Sequence, residues 1–80
     1  MTDAATPEAS PTARRLIDEL RPHTPFAEAI VRRQAERAGV PVDTLSDADL
    51  PRVVPLVVAA ASGFVDPVVL ARLRWVFLRR

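Results

Sequence analysis

The side chains in this chain that could do chemistry are few: one histidine, a short run of carboxylates and a set of arginines around the only tryptophan. His23 stands in a Pro-flanked turn, with no cysteine in the chain and no patterned carboxylate beside it. It reads as a loop residue and not as a ligand or base. Asp43, Asp47 and Asp49 lie close together, but a calcium loop needs a glycine after its first acids and a closing glutamate, and neither is present. Ser46 and Asp49 instead have the spacing of a capping box, with Asp in place of the usual Glu. Helix capping therefore accounts for the acids. An enzyme needs a nucleophile with its base, paired carboxylates or a metal set. The expectation is a non-catalytic chain with no catalytic residue, no metal ligand, no cofactor and no small-molecule substrate.

The arginines say more. From Pro67 onward the sequence carries Arg72, Arg74, Arg79 and Arg80 and no acid, although the whole chain is nearly balanced at a formal +1. Trp75 lies among them. Such an end can contact phosphates while the indole stacks on a base, lie on an anionic membrane surface, or rim a protein-binding patch. A recognition helix must present polar side chains to base edges, and the Val- and Ala-rich segment after Gly39 does not. Cations near a helix C-terminus also answer the helix dipole without any ligand. The membrane use is disfavoured because the same helix must supply part of the core.

The elements that position these residues follow from proline, cap and period. Ser10–Pro11 is a start signal, a hydroxyl to cap and a proline whose missing N–H costs nothing at the first helical position. Ala13, Leu16, Ile17 and Leu20 follow at helical spacing, with Arg14, Arg15, Asp18 and Glu19 opposite. Thr24–Pro25 repeats the signal; Phe26, Ala27, Ile30, Val31, Gln34 and Ala38 line one side, and Gly39 is the stop. Val40 and Val42 are expected to tuck against the bundle. A turn at 47–50 precedes a third helix from Pro51, bent at Pro55, with Val53, Val54, Val57, Ala60, Ala61 and Phe64 facing one way. Asp66–Pro67 starts the last helix.

That last helix has two apolar sides. Val69, Leu70, Leu73, Val76 and Phe77 form a core side. Val68, Ala71, Trp75 and Leu78 form another, flanked by Arg72 and Arg79. A terminal helix in a small monomer needs only one. Either the second side is a partner-binding surface, or the N-terminal helix folds over it. Trp and Arg are the residue types most enriched at interface hot spots, so Val68, Ala71, Arg72, Trp75, Leu78 and Arg79 are the candidate partner-binding residues.

Eighty residues allow one domain, and a chain 49% apolar is not disordered by composition. No uncharged run approaches the about 20 residues of a membrane-spanning helix, and the N-terminal residues lack the pattern of a secretory signal. The expectation is a cytoplasmic protein, with residues 1–9 a flexible tail and 10–80 a single helical domain. Arginine as the only strong base, with abundant Ala, Val and Pro, points to a bacterial genome rich in G and C.

The segment Pro25–Gly39, followed by Thr44–Leu50 and then by Phe64-Val65-Asp66-Pro67, resembles small helical modules appended to bacterial Ser/Thr kinases, chemoreceptors and related signalling proteins. The resemblance covers residues 25–67 and departs from that pattern at Phe26 and at the Pro51/Pro55 pair. Through Pro25-Phe26 and Arg32, Arg33, Glu36, Ala38 and Gly39, the chain is also similar to the helical C-terminal domain of a protochlorophyllide reductase subunit. Both resemblances imply a non-catalytic accessory domain.

The sequence thus predicts an all-α, compact four-helix domain with Pro-capped helices near 11–21, 25–38, 51–63 and 67–79. Its expected function is that of a protein-interaction module, adaptor or regulatory, self-associating as a homodimer through the last helix. The alternative is a small nucleic-acid-binding protein using the Arg-rich C-terminal helix.

Overall fold

The computed structural model describes residues 8–78. Within them the all-α expectation holds. The α-helices are α1 (Pro11–Leu20), α2 (Ala27–Arg37), α3 (Leu50–Ala61) and α4 (Pro67–Leu78), with 3-10 turns at Arg21–His23 and Asp47–Asp49 and no strand among the described residues. Helix α2 packs on α1 and on α3, and α3 packs in turn on α4. The fully buried centre holds Leu16, Leu20, Val31, Leu45, Val53, Val54 and Val57.

Ser10 shows how one residue sets the N-terminal architecture. Its hydroxyl oxygen accepts the Ala13 N–H at 3.1 Å, capping α1. The same hydroxyl donates to the Leu45 carbonyl at 2.6 Å, while the Ser10 N–H donates to the Val42 carbonyl at 3.0 Å. The Val40–Leu45 segment, which turns where the Thr44 N–H donates to the Pro41 carbonyl at 3.2 Å, is thereby fixed against α1, and Val40 and Val42 are buried as expected. Ala9, placed in the tail by the sequence, packs against this core. Residues 1–7 of that tail lie outside the described residues.

Helix α2 closes on Gly39, which adopts φ +77°. The Gly39 N–H donates to the Glu36 carbonyl and the Val40 N–H to the Ala35 carbonyl at 2.9 Å, a Schellman closure. A Cβ at Gly39 meets nothing within 4 Å, so only backbone strain opposes a side chain there. Gly39→Ala is expected to cost about 1 kcal/mol, read as a lowered midpoint in urea unfolding with an unchanged slope.

Several expectations need correction. Helix α2 begins at Ala27, after the expected start at Thr24–Pro25. Thr24 is buried in an extended conformation, and its Oγ1 accepts the Phe26 N–H at 3.1 Å, forming a turn ahead of the helix. Phe26 precedes the first helical residue and is 54% exposed, off the buried stripe. Phe64 lies beyond the end of α3 at Ala61, so the helical phase that put it in the core does not reach it. It is 61% exposed, and its ring meets that of Phe26 at 5.8 Å between centroids. Helix α3 continues past Pro55, as expected, with that proline exposed.

Candidate protein-interaction surface

Helix α4 starts where Asp66 accepts the Val68 N–H at 2.8 Å. Leu70, Leu73 and Phe77 face inward and are buried. At about 100° per residue, Val76 lies roughly 90° from the middle of that stripe, and it is 39% exposed. The sequence had put it in the core, so this is a correction. Val69 is half-buried on the same flank.

The opposite side of α4 is open. Val68 is 76% and Trp75 61% exposed; Ala71 between them is exposed too. Leu78 is half-buried, its inner part packed on the core. Ala71, Arg74, Trp75 and Leu78 line a shallow, largely apolar depression. Arg72 and Arg74 are both exposed, and they stand about 80° to either side of the line through Ala71 and Trp75. Arg79, the remaining sequence candidate, lies outside the described residues. Arg74 was missing from the sequence candidates for this surface. Its signal was available, because it is the residue just before Trp75 and falls on the flank opposite Arg72.

Helix α1 does not cover this side. It reaches α4 elsewhere, where the Arg15 guanidinium carbon lies 5.5 Å from the centroid of the Phe77 ring. Arg15 also pairs with Asp47 at 3.7 Å, and Asp47 accepts the Thr12 hydroxyl at 3.0 Å. These links join α1, the second 3-10 turn and α4; with Arg15 and Asp47 largely exposed, each is worth up to about 1 kcal/mol.

The other chemical candidates are in structural positions. Asp49 Oδ2 accepts the Ser46 N–H at 2.9 Å, the carboxylate half of the capping box that the spacing predicts, and it also accepts the Ser46 hydroxyl at 3.2 Å. Glu28 and Arg32 pair at 2.9 Å one turn apart on α2. His23 is exposed at the end of its 3-10 turn. Among the described residues, no His, Cys, Asp and Glu gather into a group that could hold a metal ion, and no helix is long and apolar enough to cross a membrane. No protein-family model matches the chain, and neither a curated protein nor a solved structure matches it.

Proposed function

We propose that this chain is a non-catalytic protein-interaction module, adaptor or regulatory in kind, that docks its partner on the outer side of α4 and associates with itself through the same surface. The observation that carries this reading is the exposure of Val68, Ala71 and Trp75 directly opposite the buried Leu70–Leu73–Phe77 stripe. An apolar centre between two charged flanks has the composition of an interface core and rim. Trp75 is its anchor: an indole supplies a large contact area and ranks among the residues whose truncation costs most at interfaces.

The face is short. Its 12 residues extend about 18 Å, and a face about 10 Å wide over that length covers on the order of 200 Å², well below the roughly 800 Å² per partner of a standard interface. The association is therefore of the weak, exchangeable kind. Solution mass by light scattering over a dilution series is expected to rise with protein concentration for the wild type and to stay monomeric for Trp75→Asp. A wild type that is monomeric throughout removes self-association and leaves the surface to a different protein. Salt-labile retention of DNA or RNA, lost in Arg72→Ala with Arg74→Ala, supports the nucleic-acid reading instead.

A further inference from the structure

Resting on that reading of α4, the charge pattern names the occupant. Val68, Ala71, Trp75 and Leu78 are spaced three, four and three residues apart, which is the seam of a heptad repeat with Val68 and Trp75 at a, Ala71 and Leu78 at d. In that register Arg72 falls at e and Arg74 at g, and both are exposed on α4. Arg79 is the next e position of the sequence. Leu70, Leu73 and Phe77 fall at c and f, the side buried in the domain's own core. The helix thus carries two separate apolar stripes, one used internally and one with coiled-coil spacing.

The e and g positions decide which helix pairs with such a seam. Here three of the four, Arg72, Arg74 and Arg79, are arginine and the fourth, Pro67, is uncharged, and no acid follows Asp66 to neutralise them. In a parallel pair of identical helices a g residue meets the e residue five places on in the other copy, so Arg74 faces Arg79 while Pro67 offers Arg72 no counter-charge. In an antiparallel pair e meets e and g meets g, with the same result. A second copy therefore associates against repulsion. A helix with apolar a and d residues and Glu or Asp at e and g meets the same seam with attraction on both flanks. We propose that the partner is such an acidic amphipathic helix, supplied by another protein, which displaces the weak self-association of this chain. Charge complementarity of this kind fixes partner and register and speeds encounter.

The test uses the chain's single tryptophan, at the centre of the seam, as its probe. Two tryptophan-free helical peptides of about three heptads carry Leu at a and d, one with Glu and one with Lys at e and g. Titrating the Glu peptide into the wild-type protein is expected to shift Trp75 emission to the blue. Its affinity should exceed that of the Lys peptide by about tenfold or more in dilute salt, with the gap closing toward roughly 0.5 M. The double variant Arg72→Glu, Arg74→Glu should reverse the preference. Because both arginines are exposed, the variant should stay folded by circular dichroism. Equal affinity for the two peptides, or binding of neither, overturns the acidic partner. The α4 surface itself still stands in that case if Trp75→Asp abolishes self-association. If instead Trp75→Asp, which has no tryptophan left and is read by titration calorimetry beside the wild type, binds the Glu peptide as tightly, the peptide docks elsewhere and the α4 surface falls with it. Binding of a DNA oligonucleotide lost in the double variant, with no peptide bound, assigns the arginines to nucleic acid and overturns the proposal.

Discussion

Leu73→Asp is expected to unfold the domain, while Trp75→Asp, two residues along the same helix, leaves it folded. Leu73 is buried on the inner side of α4. Replacing it forfeits about 2–3 kcal/mol of apolar burial and forces a carboxyl group into the core, which must stay neutral or be desolvated at a further cost of several kcal/mol. The sum rivals the whole stability of a small domain, about 5–15 kcal/mol. Trp75 is mostly in water already. The aspartate there loses some helix propensity and sits unfavourably in the last turn of a helix, together about 1 kcal/mol. Far-UV circular dichroism should therefore show helix loss for the first variant and native helicity for the second. Light scattering on the second then reports the interface without interference from folding. Unfolding by Trp75→Asp would make the indole part of the core and remove the outer face of α4 as a docking surface.

The contrast between these two residues was legible in the sequence because both belong to one helix, and a helix's faces follow from its period. The starts at Ser10–Pro11 and Asp66–Pro67 were legible for the same local reason, a capping side chain followed by a residue preset for the first turn. Where local rules end, the reading failed. The phase of α3 puts Phe64 inside only if the helix continues past Ala61, and that of α2 puts Phe26 inside only if the helix starts before Ala27. Both rings face outward and meet each other, a contact between segments 38 positions apart that no local pattern encodes. Thr24 looked like a cap, but its hydroxyl closes a turn instead. Val76 was given to the core because the apolar residues on α4 form a broad arc, and only the packing against α3 fixes where the middle of the buried stripe falls. The outer apolar side of α4 was visible as surplus apolarity. That α1 leaves it open depends on where α1 lies, which rests on tertiary contacts such as that of Arg15 with Phe77.

Ser10→Ala is expected to destabilise the domain by about 2–4 kcal/mol, more than an ordinary lost cap. Removing a capping hydroxyl costs about 1 kcal/mol by freeing the first-turn N–H groups of the helix. At Ser10 the same oxygen also donates to the Leu45 carbonyl across 35 residues of chain. Ser10 is itself buried, so that carbonyl is left without this donor in a place with little water to replace it, which adds about 1–3 kcal/mol. Ser10→Thr keeps the hydroxyl and should recover most of the loss if the buried site accepts one more methyl group. Urea unfolding of both variants separates the two contributions when paired with Thr24→Ala, which removes a second buried hydroxyl, one that accepts the Phe26 N–H within a local turn. A Ser10→Ala loss no larger than that of Thr24→Ala would mean that the link to Leu45 adds nothing. A clearly larger loss, restored by threonine, makes Ser10 the point where the local grammar of a helix start and the long-range closure of the fold are carried by one side chain. Local propensity and tertiary packing then agree at that residue, and such agreement between levels is what lets a short chain with few buried polar groups settle on a single arrangement.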